Sequence, residues 1–103
     1  MQITIASIKK IEKIFEKGLQ DEYLSRSLGK ILGYEKDKTI TEVKSLKDEL
    51  LRFEKNYKMS SDEFFQRFER GEMGDEEDYF EWSAMYQMYK KSEERLNMLE
   101  EVS

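Results

Sequence analysis

A first group of apolar residues recurs at intervals of three or four along the start of the chain, with lysines and glutamates between them. Such intervals form one face of an amphipathic helix. We predict an N-terminal helix over residues 1–18, ended by Gly18, because glycine readily adopts the left-handed backbone that closes many helices. The apolar face consists of Ile5, Ile8, Ile11, Ile14 and Phe15.

A second apolar stripe predicts one long helix over residues 19–57. Polar residues interrupt the stripe over residues 35–39, and from Val43 onward its steps of three and four are those of a coiled-coil seam. No proline or Asn-Gly pair requires a turn at Gly33, so we favour a continuous or slightly bent helix, with a turn there as the alternative. The stripe consists of Tyr23, Leu24, Leu28, Ile31, Leu32, Ile40, Val43, Leu46, Leu50, Phe53 and Tyr57.

A capping signal predicts a short helix over residues 60–71. Ser60 and Glu63 have the spacing of a capping box, in which the hydroxyl and the carboxylate each bond a free amide at the helix start. Met59 would pack against Phe64 as the accompanying hydrophobic staple, and a glycine closes the helix.

The last helix is predicted over residues 75–100. It begins with four carboxylates, which the positive end of a helix dipole favours. It also carries a second seam with steps of three and four, formed by Trp82, Met85, Tyr89, Ser92, Leu96 and Leu99.

Together these elements predict an all-α fold in a single domain, residues 1–103. The two long helices with matching seams form an antiparallel, coiled-coil-like hairpin, joined by the short helix and preceded by the N-terminal helix. We expect three residues of the last helix to pack against three of the long one: Trp82, Met85 and Tyr89 against Leu46, Leu50 and Phe53. The chain contains no proline, which favours so much helix.

Composition excludes several kinds of site. The chain has no cysteine and no histidine, which removes thiolate nucleophiles, disulfides, the commonest general base and the commonest transition-metal ligand. We expect no cofactor and no metal. No apolar run approaches the roughly 20 residues of a membrane span, and the first residues do not resemble a signal peptide, so we expect a cytoplasmic protein without membrane contact.

Charge is distributed unevenly along the chain. Residues 1–59 carry 13 basic against 10 acidic side chains, whereas residues 60–103 carry 5 against 13. The acidic half favours a basic partner surface, although solvated helix faces would explain the same pattern. Nucleic-acid binding is disfavoured, because the sequence pI is about 4.9 and no helix-turn-helix signature is present. The basic residues that could contact phosphates lie in the first helix: Lys9, Lys10, Lys13 and Lys17.

An acidic run at the start of the last helix has two catalytic or metal-binding interpretations that we consider weak. The run lacks the alternating ligands and central glycine of a calcium-binding EF-hand loop. Paired carboxylates for glycoside hydrolysis need a cleft, which a small helical hairpin is poorly suited to form. Stabilisation of the helix start is the simpler explanation for Asp75, Glu76, Glu77 and Asp78, with Glu81 one turn later.

Aromatic residues and methionines are concentrated in the same helix. On one interpretation they all belong to the core. On the other, some form an exposed strip for a partner, since tyrosine, tryptophan and methionine are enriched in interfaces. Both interpretations stay open for Tyr79, Phe80, Trp82, Met85, Tyr86, Met88 and Tyr89.

The central motifs resemble a known group of proteins. Residues 53–64 read FEKNYKMSSDEF, residues 68–75 read FERGEMGD and residues 78–82 read DYFEW. This pattern is similar to that of small, acidic, helical, antitoxin-like proteins of bacterial and archaeal toxin–antitoxin pairs. The resemblance covers residues 20–99, and Lys58 departs from it because the group usually has glycine there.

The resemblance implies a protein that binds and neutralises a small toxin, which the acidic half suggests is basic. A structural coiled-coil protein that forms homodimers, without a toxin partner, is the alternative; we expect no enzyme. The predicted partner-binding residues are Asp75, Glu76, Glu77, Asp78, Phe80, Glu81, Trp82, Tyr86 and Tyr89.

Overall fold

A computed structural model describes residues 4–18 and 21–102 of the chain. These residues form four helices and no strand: α1 (Ile5–Glu16), α2 (Glu22–Tyr57), α3 (Ser61–Glu69) and α4 (Glu77–Val102). The predicted all-α fold is confirmed. The parts of the predicted helices that fall on residues 1–3, 19 and 20 lie outside the described residues. The chain divides into two compact units, Met1–Gly33 (unit 1) and Tyr34–Ser103 (unit 2), with the boundary inside α2.

In unit 1, side chains cap the start of both helices. The Thr4 hydroxyl accepts a hydrogen bond from the Ser7 amide at 3.2 Å, and the Asp21 carboxylate accepts one from the Tyr23 amide at 2.8 Å. These bonds satisfy amides that have no partner within their own helix. α2 then continues through Gly33 without a break.

In unit 2, α2 and α4 pack against each other in antiparallel directions. The Arg95 guanidinium lies 2.9 Å from the Glu35 carboxylate near one end of the pair. Near the other end, the Tyr57 hydroxyl donates to Asp78 at 2.7 Å. Residues early in α2 thus meet residues late in α4, which confirms the predicted antiparallel hairpin.

The core of unit 2 is an aromatic stack to which α3 contributes. The Phe64 and Trp82 rings are nearly parallel, with centroids 3.8 Å apart, and Phe53 stacks on Trp82 at 5.5 Å. Trp82 and Phe64 are fully buried. The core cluster also includes Leu50, with Met85 and Tyr89 packed against it, as the seams predict; Leu46 is half-buried one turn away.

The predicted α2 stripe differs from the structure at four positions, since Tyr23, Ile31, Leu32 and Ile40 are exposed. Thr39 is buried, whereas the predicted Ile40 is 41% exposed. Thr39 continues the alternating steps of four and three that lead to Val43, Leu46 and Leu50, so it faces α4. Its hydroxyl donates to the Glu35 carbonyl oxygen at 2.7 Å, which removes the cost of burying it.

The predicted capping box is half correct. The Ser60 hydroxyl accepts from the Glu63 amide at 3.1 Å. The Glu63 carboxylate does not reach back to the helix start, because it pairs with Arg67, four residues later, at 3.0 Å. A carboxylate from α2 bonds the following amide instead: Glu54 accepts from the Ser61 amide at 2.8 Å.

Candidate partner-binding site

The predicted acidic residues surround the start of α4, after a connection in which Gly71 and Gly74 have positive φ angles. Residues 71–89 contain six carboxylates and no lysine or arginine. We call five of them the acidic surface: Asp75, Glu76, Glu77, Asp78 and Glu81. All five are exposed.

The acidic surface is electrostatically unneutralised. None of its five carboxylates takes part in an ion pair with another described residue. The nearby Arg70 pairs with Glu72, at 3.3 Å. Asp78 accepts the hydrogen bond from Tyr57, and this bond is the main cause that raises the Tyr57 pKa to about 12, followed by burial. Tyr57 therefore stays neutral at physiological pH and does not offset the negative charge.

Phe80 lies beside the acidic surface and is 57% exposed. Its ring meets Phe68 of α3 edge to face, with centroids 5.6 Å apart. Both rings line a cavity of about 210 Å³, which we call the Phe80 pocket, together with Met73 and Asp75. An apolar pocket with a carboxylate in its wall can accept an apolar side chain from a positively charged segment.

Trp82 belongs to the core and not to this surface. Its side chain has no exposed area, and its indole N–H donates to the buried Ser61 hydroxyl at 2.9 Å. Since successive residues of an α-helix are about 100° apart, Trp82 points roughly opposite to Phe80. Trp82 is therefore not accessible to a partner at this surface.

Tyr86 and Tyr89 line a different cavity, of about 310 Å³, which shares no residue with the Phe80 pocket. The Tyr86 hydroxyl donates to the Asp62 carboxylate, and the Tyr89 hydroxyl donates to Glu93 at 3.0 Å. Burial is the largest cause that raises both phenol pKa values, that of Tyr86 to about 12, and these hydrogen bonds add to it. Both hydroxyls are thus protonated at neutral pH and already bonded within the protein.

The predicted residues therefore fall into three places: an acidic surface with Phe80, a buried Trp82 and a cleft with the two tyrosines. Sequence reasoning missed Phe68 and Met73 as pocket residues. The only signal was their position on either side of Gly71, shortly before the acidic run.

The described residues contain no group of three or more acidic, histidine or cysteine side chains placed to hold a metal ion. No helix among them is long and apolar enough to cross a membrane. Comparison of the chain with protein-family models, with curated proteins and with solved structures found no match.

Proposed function

We propose that this protein binds a small basic partner protein through the acidic surface and the Phe80 pocket, as the antitoxin-like member of a toxin–antitoxin pair. Neutralisation of the partner is achieved by occupying its surface and requires no catalytic chemistry. The observation that carries the proposal is that an exposed phenylalanine lies beside five carboxylates, none of which forms an ion pair with another described residue.

Charge and apolar contact have separate roles at such a site. Unneutralised carboxylates accelerate the encounter with a positively charged partner and disfavour acidic ones. Affinity depends more on an anchor that becomes fully covered, and aromatic side chains at the centre of interfaces often serve as anchors. Phe80 is the residue of the predicted set that has both the exposure and the apolar pocket for this role.

The resemblance supports the choice of partner class. The resembled group usually has glycine where this chain has Lys58, and the backbone at Lys58 is left-handed, with φ of 53°. Glycine adopts that conformation without strain. The pattern of the group therefore suits the helix ending that this chain forms at the same position.

The proposal is tested by capture of partners from a lysate of the native host, with the tagged chain as bait and mass spectrometry as readout, at low and high salt. We expect one small basic protein in equimolar amount, with weaker capture at high salt because exposed charges are screened. Phe80→Ala should lower its affinity about 30-fold, the effect of losing an interface anchor of about 2 kcal/mol.

A matched pair of variants separates the acidic surface from overall negative charge. Glu76→Gln/Glu81→Gln removes two charges from the acidic surface, and Glu69→Gln/Glu94→Gln removes two exposed charges elsewhere in unit 2. We expect slower association with the captured protein for the first pair and no change for the second. Equal effects from both pairs, or full affinity in Phe80→Ala, would contradict the assignment of the site.

A structural self-assembly protein without a toxin partner is the second candidate. It is favoured by apolar residues of unit 1 that the described chain leaves uncovered. Recovery of the bait alone, as a defined oligomer, would support this candidate over the antitoxin-like one.

A further inference from the structure

The exposed side of α4 carries a short row of apolar residues. Phe80, Ala84 and Met88 follow one another at intervals of four, so they form a ridge that is inclined to the helix axis. Phe80 and Met88 are 57% and 55% exposed, and Ala84 is exposed as well. We call these three residues the outer row. The fold of unit 2 buries none of them.

A cavity lies at each end of the outer row. At one end is the Phe80 pocket. At the other end, Met88 of α4 and Leu46 of α2 contribute to a groove of about 360 Å³ between the two helices, which we call the α2–α4 groove. The two cavities share no lining residue. Phe80 and Met88 are about 12 Å apart along the helix axis, because each residue of an α-helix rises about 1.5 Å.

Ala84 lies between the two cavities and presents only a methyl group. The distance between the axes of packed helices, about 8–10 Å, depends on the side chains at their contact. A partner helix that crosses α4 at Ala84 can therefore approach closely. Its apolar side chains would reach both cavities when they are two turns apart, since two turns span roughly 11 Å.

An extended segment fits the outer row less well than a helix does. Extended peptides commonly bind by adding a strand to the edge of a sheet, through main-chain hydrogen bonds. The described residues of unit 2 form helices and no strand, and the backbone groups in the interior of a helix are bonded within it. A helix in a groove binds mainly through side chains, which are what the outer row offers.

Charge specifies where the occupant carries its basic residues. Glu77 and Glu81 of the acidic surface lie within one turn of Phe80. At the α2–α4 groove, Glu42 and Lys91 line the same cavity with opposite charges, so neither sign is favoured there. The occupant that fits is an amphipathic helix with basic residues around the apolar side chain that enters the Phe80 pocket.

We infer that an amphipathic helix of the basic partner docks across the outer row, with one apolar side chain in the Phe80 pocket and another, two turns away, in the α2–α4 groove. The inference rests on the proposed function for the partner, and it extends the site from one apolar anchor to two. One side of α4 then belongs to the core and the opposite side to recognition.

A synthetic helical peptide tests the inference without the native partner. The probe has two leucines two turns apart on one face, lysines beside the first leucine, and a side-chain staple that fixes the helix. The control peptide has the same composition and charge, with the second leucine moved to the opposite face. We expect the probe to shift the NMR amide signals of the outer row, and the control to bind about fivefold more weakly.

Variants of the chain locate the binding of the probe. Ala84→Gln adds bulk at the crossing point and keeps a good helix former, so it should weaken binding about tenfold. Met88→Ala should weaken binding about fivefold through loss of apolar contact. Met98→Ala is the matched control, because Met98 lies on the same helix and is 59% exposed. This control should bind the probe as the wild type does.

The inference would be overturned by absence of probe binding, by equal binding of the two peptides, or by equal losses in Met88→Ala and Met98→Ala. A basic protein captured through Phe80 but insensitive to Ala84→Gln and Met88→Ala would also overturn it, while leaving the proposed function intact. Probe binding as expected, without a basic protein captured from the lysate, would support the helix-binding surface and count against the antitoxin-like function.

Discussion

Lys58 lies in a left-handed conformation that its side chain disfavours. α2 ends in a Schellman motif, in which the Met59 amide donates to the Glu54 carbonyl oxygen at 3.2 Å and the residue between helix and loop has positive φ. α3 ends in the same motif, with the Glu72 amide bonded to the Arg67 carbonyl at 2.9 Å. The left-handed residue there is Gly71, with φ of 71°.

The two endings therefore form a matched pair for measuring the cost of a side chain at this position. The left-handed conformation costs an L-residue roughly 1–2 kcal/mol, which a change to glycine removes. The same change increases the conformational entropy of the unfolded chain, which lowers stability by about 0.4–1 kcal/mol. We expect Lys58→Gly to raise the free energy of unfolding by about 0.5–1 kcal/mol. Gly71→Ala should lower it by a similar amount, through the backbone alone, since an added Cβ meets nothing within 4 Å.

Urea unfolding followed by Trp82 fluorescence measures these changes, because the indole lies in the core of unit 2. Lys58→Ala is the control: the Lys58 side chain is exposed and in no ion pair with a described residue, so removing it while keeping Cβ should change stability by less than about 0.5 kcal/mol. The thermal midpoint should rise by about 2–8 °C in Lys58→Gly. A gain in Lys58→Ala equal to that in Lys58→Gly would refute the backbone argument and assign the effect to the lysine side chain.

Three further expectations concern the interior of unit 2. Thr39→Val should leave the free energy of unfolding unchanged or raise it by less than about 1 kcal/mol, because the side-chain shape is kept and the Glu35 carbonyl that accepts from the hydroxyl remains part of the helix. Thr39→Ala should lower the free energy of unfolding by about 1 kcal/mol. Urea unfolding measures both changes. Ser61→Ala should cost about 1–3 kcal/mol in the same assay, because it leaves the indole N–H of Trp82 buried without an acceptor; a neutral result would contradict the geometry. The pKa values of Tyr57 and Tyr86 are raised from 10.0 to about 12 on folding. The stabilisation linked to these raised pKa values is complete below pH 10 and is lost as the pH rises to 12. The double variant Tyr57→Phe/Tyr86→Phe should therefore flatten that part of the stability–pH curve relative to the wild type.

Helix identity and the antiparallel pairing could be predicted from the sequence because they follow from periodicity and from the absence of proline. The seams contained enough apolar residues to define both helix faces. Position 39 shows the limit of prediction from apolar periodicity. Threonine counts as a polar residue, so the pattern assigned the buried position to its more apolar neighbour Ile40. The hydroxyl is tolerated through a bond to its own backbone, which no apolar pattern reveals.

The contribution of Glu54 could not be predicted for a different reason. Glu63 has the right spacing for the start of α3, but Arg67 competes for its carboxylate and Glu54 arrives from another helix. Local spacing predicts local bonds, whereas the partner that satisfies the Ser61 amide is seven residues away in the chain and depends on the turn at Lys58. Such tertiary capping becomes visible when the helices are assembled.

The division of the aromatic residues of α4 follows from helix geometry once Trp82 is known to be the centre of the core. At about 100° per residue, Tyr79, Met85, Tyr86 and Tyr89 lie within roughly 60° of Trp82, and all four are half-buried. Phe80 lies about 160° from it and is exposed. α2 and α3 together cover one side of α4, so residues near Trp82 are used in folding and Phe80 is not. An aromatic ring that folding leaves uncovered beside unneutralised carboxylates is therefore the part of the strip on which the proposed partner binding should depend.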